Sequence, residues 1–261
     1  MSELKAIRFA DRGPADTGMP VWDPIPAEGL QSGEPVQTGH VYHNDEANGL
    51  MVGVWDCTPF TAKPGPYDVN EFMLILDGSV TIVDENGGEE TISAGQSFII
   101  PKGLPCTWKQ TEYVRKFFVI FNDASGMKPE DSSALKVIRP DPGVAMGPME
   151  VDASQPFVGA LPTQHIDLCF GDMTGQMTTG VWDSTPFERT AFAFPRHELM
   201  HLLEGSVTIS DGQGGAETFV AGDTFFVPKG AVIGWKSTEY VRKIFVIFIE
   251  KQAEAQANAA E

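Results

Sequence analysis

The chain contains the same sequence twice, and this internal repeat is the feature that most constrains its fold. When the sequence is shifted by 127 residues without a gap, residues 53–121 align with residues 180–248, and 38 of the 69 aligned positions are identical. With the segment that precedes it, each copy is longer than 100 residues, which is enough for a hydrophobic core of its own. The spacing is much longer than the period of a solenoid. The sequence therefore predicts two homologous domains in tandem.

The repeat also extends upstream of its gapless part. Leu4-Lys-Ala-Ile-Arg matches Leu135-Lys-Val-Ile-Arg at an offset of 131. We interpret the segments that follow, which are rich in proline and glycine, as arms that pack across a domain. The predicted organisation is an N-terminal repeat with its arm over residues 1–121, a linker over 122–134, a C-terminal repeat with its arm over 135–249, and a helical or frayed tail over 250–261.

The composition excludes several classes of partner. The net charge of −18 repels phosphate backbones and anionic lipids, so we expect no binding to nucleic acid or to membrane surfaces. No apolar run approaches the roughly 20 residues that a membrane helix needs, and the first thirty residues do not resemble a signal peptide. Three cysteines without paired spacing fit a reducing compartment. We expect a cytoplasmic protein, and a small anionic substrate remains compatible with its charge.

Strand signals dominate each repeat. The run Glu71–Leu76 ends at Asp77-Gly78, and the run Ser79–Val83 leads into a glycine-rich turn. Residues 96–100 and 114–121 are apolar enough to be buried on both faces. Short β-rich runs separated by glycine turns are typical of an all-β sandwich or barrel. The predicted fold is therefore all-β, with two small barrels in tandem.

Two spaced motifs in each repeat give a more specific resemblance. The first motif is a glutamate seven positions before a glycine, and the second is Gly-x5-Pro-x-Gly. The first repeat has them at Glu71 to Gly78 and at Gly95 to Gly103, and the second repeat has them at Glu198 to Gly205 and at Gly222 to Gly230. These motifs resemble those of the cupin superfamily, which implies a bicupin of two double-stranded β-helix (jelly-roll) barrels. Gly-Val-Trp-Asp-x-Thr-Pro before the glutamate and Pro-Lys-Gly-x4-Trp after it resemble the cupin_3 branch. That branch includes (S)-ureidoglycine aminohydrolase and the ethanolamine-utilisation cupins.

The histidines that the cupin resemblance would imply as metal ligands are missing. Metal-binding cupins supply two histidines before the motif glutamate and a third after Pro-x-Gly. The corresponding residues are Gly65, Tyr67 and Cys106 in the first repeat and Phe192, Phe194 and Ile233 in the second. Imidazole is the ligand that suits manganese, iron or zinc in such sites. We therefore expect no metal cofactor, and neither the metal nor the reaction of the aminohydrolase is expected here.

Two alternative ligand sets for a divalent manganese, iron or zinc ion stay open. The first combines Glu71 and Cys106 with a histidine of an arm: His40, His43 or His165. The second is the run His197, Glu198 and His201. Side chains alternate along a strand, so Glu198 would point away from the two histidines, and this second set would need a bulge to chelate one ion.

The first barrel carries the candidate catalytic residues. Glu71 and Cys106 occupy positions that face inward in the family, and we expect a pocket lined by Trp55, Tyr67, Trp108 and Lys116. A carboxylate in such a pocket can serve as a general acid or base. The thiol could act as a nucleophile if Lys102 or Lys116 lowered its pKa. The alternative interpretation is that Cys106 is a small buried hydrophobe and Glu71 a satisfied strand residue.

The second barrel looks like a supporting partner. Ile233 replaces the cysteine, and the segment Phe192-Ala-Phe-Pro before the glutamate is apolar, so we expect a filled core in which Trp182, Glu198 and Trp235 are relics. Arg115 and Arg242 follow a Glu-Tyr pair in each repeat. They are either edge-strand ion pairs or anchors for a carboxylate or amide at the barrel rim.

Two classes of function remain. The first is a metabolic enzyme, a lyase, isomerase or hydrolase that acts on a small polar metabolite in the N-terminal barrel. The second is a bicupin that binds a small molecule or supports a partner without catalysis. Oxygen-dependent oxidation is disfavoured because the histidines are missing. Exposed edge strands of small barrels are often covered by pairing, so we expect a homodimer.

Overall fold

The computed structural model of the chain describes residues 5–127 and 131–251, and most of the predicted tail lies outside these ranges. The only helical turns among the described residues are two 3-10 turns, Ala27–Gly29 and Ser132–Ala134. The prediction of an all-β protein is therefore confirmed. No helix in the part of the chain that the structure describes is both long and apolar enough to cross a bilayer.

The described residues of the two repeats form twenty-three strands. Those of the N-terminal half are β1 (Ile7–Arg8), β2 (Leu30–Ser32), β3 (Gln37–Asp45), β4 (Leu50–Cys57), β5 (Phe60–Ala62), β6 (Gly65–Pro66), β7 (Asn70–Asp77), β8 (Ser79–Asp84), β9 (Glu89–Ser93), β10 (Ser97–Ile100), β11 (Pro105–Gln110) and β12 (Val114–Phe121). Those of the C-terminal half are β13 (Gly147–Met149), β14 (Phe157–Val158), β15 (Gln164–Gly171), β16 (Met177–Ser184), β17 (Phe187–Ala193), β18 (His197–Glu204), β19 (Ser206–Ser210), β20 (Ala216–Val220), β21 (Thr224–Val227), β22 (Val232–Ser237) and β23 (Val241–Phe248).

Each repeat folds into two antiparallel sheets that enclose a core. The N-terminal barrel has the sheet β10-β7-β12-β4-β3 opposite the sheet β2-β5-β11-β8-β9, with β6 paired to β11. The C-terminal barrel has the sheet β21-β18-β23-β16-β15-β13 opposite the sheet β14-β17-β22-β19-β20. The motif glutamate lies near the start of β7 in one barrel and of β18 in the other.

The glycine that follows each of these strands has a direct steric role. Gly78 has φ +73°, and a Cβ at this position would lie 2.0 Å from the carbonyl oxygen of Tyr113. Gly205 repeats this arrangement with φ +76° and the same distance to the carbonyl oxygen of Tyr240. Only glycine tolerates both the left-handed backbone and the close approach. The turn therefore fixes where the central strand ends in both barrels.

The first residues of each leading arm pair with the barrel of the other repeat. Strand β1 pairs with β21 of the C-terminal barrel, with Ile7 opposite Phe226. At the equivalent place in the second half, Ile138 forms a bridge with Ile99 on β10 of the N-terminal barrel. Each arm therefore covers an edge of the other barrel. The homodimer was expected because exposed edge strands are often covered by pairing, and these two edges are instead covered within the chain. The homodimer itself stays a prediction.

Three hydrophobic clusters stabilise this arrangement. One fills each barrel, and the third lies between the barrels and draws residues from both repeats, including Phe72, Phe121, Phe226 and Phe248. Phe121 and Phe248 occupy equivalent positions, and their ring centroids are 5.0 Å apart. A strand such as β12 is consequently buried on both faces, as its apolar sequence predicted. The two repeats therefore pack against each other through one cluster, which is separate from the interior of each barrel.

Candidate ligand site in the C-terminal barrel

The motif glutamate of the N-terminal barrel is held by partners within the chain. Glu71 Oε1 accepts a hydrogen bond from Lys116 Nζ at 2.8 Å, and Oε2 accepts one from the Tyr67 hydroxyl. The Lys116 ammonium lies 4.8 Å from the Trp55 ring centre and 4.6 Å from that of Trp108. The structure thus brings five of the sequence-predicted residues together, and their functional roles stay predictions. Both oxygens of the carboxylate are already engaged.

Cys106 lies on β11 and is buried among these side chains. Burial raises the pKa of its thiol to about 11. Lys102 points elsewhere, because its Nζ donates a hydrogen bond of 2.5 Å to the carbonyl oxygen of Asp123. Lys116 is bound to Glu71. The hypothesis that one of these lysines lowers the thiol pKa is therefore wrong, and the thiol is protonated at neutral pH.

The C-terminal barrel repeats the same buried pair. Glu198 Oε1 accepts a hydrogen bond from Lys243 Nζ at 2.7 Å, and the ammonium lies 4.7 Å from the Trp182 ring centre and 5.3 Å from that of Trp235. Phe194 occupies the place of Tyr67 and has no hydroxyl. Arg196 takes over its role, because Nε and Nη2 both lie 2.9 Å from Glu198 Oε2. The residues interpreted as relics thus form a second copy of the cluster, in which a guanidinium takes the place of the tyrosine hydroxyl.

A cavity of about 180 Å³ opens beside this cluster. Its walls are aromatic, and its polar groups come from the barrel and from the arm of the same repeat. The aromatic and charged residues of the barrel that line it are Trp182, Phe187, Arg189, Phe192, Phe194, Arg196, Glu198, Trp235 and Lys243. Side-chain exposure of 36% for Arg196 shows that the cavity reaches solvent. The prediction that Phe192-Ala-Phe-Pro fills this barrel is therefore wrong, because Phe192 and Phe194 form a wall and leave a space between themselves and the central sheet.

Arg189 is the unusual residue of this cavity. It lies on β17 where the register with β22 shifts, so a bulge sets the direction of its side chain. Its Nη1 donates a hydrogen bond to Gln155 Oε1, and its guanidinium carbon lies 4.5 Å from the Phe192 ring centre. Nε is buried and has no hydrogen-bond partner. Among the described residues, Arg189 forms no ion pair at all.

The electrostatics of the cavity follow from this arrangement. Burial lowers the pKa of Arg189 to about 10, and attraction to Glu198 offsets only part of that effect. Burial alone would raise the pKa of Glu198, but Lys243 and Arg196 outweigh it and bring the pKa to about 2. Three cations and one anion therefore meet inside the cavity. Glu150 and Asp152 also belong to its lining, but they are exposed on the arm at its mouth.

Comparison with known families agrees with this duplicated architecture. The model of the EutQ-like cupin domain (Cupin_3) matches residues 45–118 and again residues 171–245. The two matches fall on the two repeats and together cover more than half of the chain. The chain belongs to the EutQ-like cupin family. It is a bicupin, as the sequence motifs indicated. A comparison with curated proteins gave no match.

Solved structures resemble this bicupin over nearly its full length. A protein of unknown function of the DUF861 family from Pseudomonas syringae pv. tomato is 28% identical, has a TM-score of 0.76, and is matched over 94% of this chain and 100% of its own. A cupin 2 conserved barrel domain protein from Leptotrichia buccalis is 12% identical with a TM-score of 0.52, over 88% of this chain and 98% of its own. Protein YlbA from E. coli, of the DUF861 family, is 10% identical with a TM-score of 0.50, over 89% of each chain. The last two likenesses concern the fold alone.

The residues inside the two barrels do not fit the metal that cupins commonly hold. None of the six positions that supply histidines in metal-binding cupins carries an imidazole here. The carboxylates that would complete such a site, Glu71 and Glu198, are instead paired with the buried ammonium groups of Lys116 and Lys243. A lysine ammonium already supplies a positive charge beside the glutamate. The donor set is therefore that of an ion pair and not that of a metal centre.

The histidines singled out from the sequence lie elsewhere. Glu198 faces the cavity, whereas His197 packs against Phe226 on the opposite face of β18, so the predicted alternation is confirmed and the set with His201 does not converge. His201 Nδ1 contacts Thr224 Oγ1 at 2.9 Å. His40 contacts Tyr42, His165 contacts Asp183, and His43 packs against His197 and Phe226. None of these contacts involves Glu71 or Cys106.

The paired arginines after the Glu-Tyr motif also have partners within the chain. Arg115 contacts Asp56 at 3.5 Å and donates a hydrogen bond to the Tyr113 hydroxyl. Arg242 donates one to the carbonyl oxygen of Val144 at 2.8 Å. The ion-pair interpretation therefore fits Arg115, while Arg242 is bound to a backbone carbonyl. The expectation of an edge strand is wrong, because β12 and β23 lie in the middle of their sheets. Neither arginine lines the cavity described above.

Arg189 and Arg196 were missed by the sequence interpretation, although the repeat contained a signal for them. Residues 61–70 and 188–197 form the longest aligned stretch without a single identity. Within it, Arg189 replaces Ala62 and Arg196 replaces Val69. Two added cations in an otherwise acidic chain mark the segment that lines the cavity.

Proposed function

We propose that this bicupin binds a small anionic metabolite, most simply a carboxylate, in the cavity of its C-terminal barrel. The observation that carries the proposal is Arg189, a largely buried guanidinium that faces the cavity without an ion-pair partner among the described residues. Burying an unpaired charge is unfavourable, and an anion in the cavity would offset that penalty. A guanidinium also binds a carboxylate with two parallel hydrogen bonds.

The size and lining of the cavity restrict the ligand further. A volume of about 180 Å³ is below the range of roughly 300–1,000 Å³ that is typical of drug-sized ligands. The walls formed by Trp182, Phe187 and Trp235 favour an apolar or planar body behind the charged group. The proposed ligand is therefore a short carboxylate with a small apolar or unsaturated portion. Arginines hold it, and it does not depend on a manganese, iron or zinc ion.

The same geometry favours binding over catalysis. A glutamate whose pKa is about 2 is ionised at neutral pH, so Glu198 is a poor general acid and a weak general base. Lys243 is engaged with Glu198 and stacked between two tryptophans. Burial lowers the pKa of Lys243, but its ammonium is paired with the Glu198 carboxylate, so the two groups act chiefly as fixed charges. The second candidate function is a lyase, isomerase or hydrolase acting through Glu71 and Cys106. It is less well supported, because both oxygens of Glu71 already accept hydrogen bonds and the Cys106 thiol is protonated.

The test is a binding screen on the full chain. Acetate, malonate and succinate, with the corresponding amides as uncharged controls, are titrated by calorimetry and by thermal shift. Arg189→Ala restores the residue that the first repeat has at this position, and it removes hydrogen bonds between charged groups worth about 1.5–3 kcal/mol. We expect affinity for the best carboxylate to fall roughly 10- to 150-fold. Arg139→Ala, an exposed arginine paired with Glu90, removes the same charge and should leave affinity unchanged.

Three outcomes would contradict the proposal. Equal binding of carboxylates and amides would show that charge does not select the ligand. Unchanged affinity in Arg189→Ala would remove Arg189 from the site. Consumption of the bound carboxylate during long incubation, followed by nuclear magnetic resonance, would replace the binding function with a catalytic one.

A further inference from the structure

A second cluster of charged and imidazole groups lies outside both barrels, where the two repeats meet. Asp45 ends β3 of the first repeat, His197 begins β18 of the second, and Glu250 follows the last strand, β23. One atom from each residue, an imidazole nitrogen or a carboxylate oxygen, lies within 4.8 Å of the corresponding atoms of the other two. The packing of the two repeats against each other therefore brings together three groups from distant parts of the chain.

His197 is the residue that points to a ligand. It is only 5% exposed, and its Nε2 has no hydrogen-bond partner. This atom lies 3.5 Å from Glu250 Oε1, a long ion-pair contact that is outside the usual range of about 2.7–3.2 Å for a hydrogen bond. The ring is clamped between apolar neighbours, with its centroid 5.9 Å from that of Phe226 and 6.0 Å from that of Phe248. A buried nitrogen without a partner is unfavourable unless another group satisfies it.

Both carboxylates are positioned by neighbouring residues. Lys229 Nζ donates to Glu250 Oε2 at 2.6 Å, which leaves Oε1 to face His197. Asp45 is held by Asn48, whose side-chain amide donates to Oδ2 at 2.8 Å and whose backbone N–H makes a longer contact of 3.3 Å with Oδ1. With Lys229 included, the cluster carries one net negative charge. The neighbouring His43, whose ring centroid is 4.9 Å from that of His197, presents a second buried Nε2 without a partner.

We propose that Asp45, His197 and Glu250 bind a divalent first-row transition-metal ion that joins the two repeats. One imidazole and two carboxylates form a ligand set of the kind that zinc and its neighbours accept, with ligand bonds of roughly 2.0–2.2 Å. Ligand atoms already within 4.8 Å of one another reach that geometry through small side-chain rotations. The site is separate from the barrel positions at which the family carries its histidines.

Binding at Nε2 has a consequence for the other ring nitrogen. Nδ1 of His197 lies 3.3 Å from the backbone nitrogen of Lys229 and accepts a long hydrogen bond from it. A metal on Nε2 moves the imidazole proton to Nδ1, so this hydrogen bond opens. The backbone amide signal of Lys229 should therefore shift when the metal binds, which gives a readout that does not depend on any activity.

The experiment titrates the chelator-treated full chain with zinc chloride. We expect saturation at one ion per chain, a rise in the melting temperature, and the shift of the Lys229 amide. His197→Asn introduces the residue that the first repeat has at this position, Asn70, and Asp45→Asn removes one carboxylate. Each should weaken zinc binding at least tenfold. His201→Asn, the same change on the same strand at a histidine bonded to Thr224, should bind zinc as the unaltered chain does.

Two results would overturn the proposal. The first is the absence of saturable zinc binding by the unaltered chain. The second is zinc binding by His197→Asn and Asp45→Asn with unaltered affinity, which would assign the ion to other groups. Arg189→Ala, which disrupts only the proposed carboxylate site, should retain full zinc binding. The two sites can therefore succeed or fail independently.

Discussion

Lys243 Nζ lies 2.7 Å from Glu198 Oε1 inside the C-terminal barrel, within a shell of tryptophan and methionine side chains. The first repeat contains the same ion pair at 2.8 Å, between Lys116 and Glu71. The repeats differ in the group that binds the second carboxylate oxygen, which is a tyrosine hydroxyl in one barrel and a guanidinium in the other. Equivalent substitutions in the two barrels can therefore be compared directly, because the ion pair is the same and only the second partner of the carboxylate differs.

Removing either buried lysine should destabilise the protein, but by different amounts. Breaking a buried ion pair on one side leaves an uncompensated charge and typically costs about 3–5 kcal/mol. Lys116→Met leaves Glu71 with only a neutral partner, so we expect a loss of free energy of unfolding in that range. Lys243→Met leaves Glu198 paired with Arg196, so the loss should be smaller.

Urea unfolding of the two variants measures this order. The midpoint of Lys116→Met should fall further below that of the unaltered chain than the midpoint of Lys243→Met. Lys236→Met, at an exposed lysine paired with Glu188, controls for the substitution itself and should change the midpoint little. Equal losses, or the reverse order, would show that Arg196 does not compensate Glu198.

Acid should weaken the C-terminal barrel through Glu198. Burial opposes ionisation of Glu198, yet Lys243 and Arg196 outweigh it and bring its pKa from 4.5 to about 2. Because the folded pKa is the lower one, the stabilisation is fully present above about pH 4.5 and is lost as the pH falls towards 2. The shift corresponds to about 3 kcal/mol.

The urea midpoint measured between pH 5 and pH 3 checks this expectation. Glu198→Gln should show a flatter dependence on pH than the unaltered chain over this interval. Glu89→Gln, at an exposed carboxylate paired with Lys109, should keep the original slope. A slope that is unchanged in Glu198→Gln would mean that other carboxylates cause the acid sensitivity.

The fold was predictable because duplication and motif spacing report on the backbone. The glycines at Gly78 and Gly205, the alternation that separates Glu198 from His197, and the apolar strand Val114–Phe121 all follow from local sterics and periodicity. These rules need no knowledge of distant contacts. Both the barrel architecture and the positions of the motif glutamates were therefore accessible from the sequence.

The location of the cavity was not predictable in the same way. Whether Phe192 and Phe194 fill a barrel or line a space depends on the bulge after Arg189 and on the arm that carries Gln155, and neither is fixed by local pattern. The cluster of Asp45, His197 and Glu250 likewise depends on how the two repeats pack. Sequence periodicity predicts which face a side chain takes, but not which distant group meets it there.

The three cysteines should react slowly in the folded protein. Burial raises the pKa of Cys57, Cys106 and Cys169 to about 11 each. At pH 8 the thiolate fraction is then roughly 100-fold below that of a thiol with the ordinary value of 9.0. Reaction with a chromogenic disulfide should be slow in buffer and should reach three thiols per chain in denaturant. Rapid modification of Cys106 alone, located by mass spectrometry and absent in Cys106→Ser, would instead support its role as a nucleophile.

Tyr67→Phe converts one residue of the first cluster to its equivalent in the second, Phe194. The change removes the hydroxyl that donates to Glu71 Oε2 and leaves a buried charged oxygen without that partner, which typically costs about 1–3 kcal/mol. Adding Val69→Arg supplies the guanidinium that the second repeat uses at this position, so the double variant should recover part of the loss. Urea unfolding of the single and double variants measures both effects. A double variant less stable than Tyr67→Phe would show that the two barrels do not share one carboxylate geometry, and that the arginine of the second repeat depends on its own cavity.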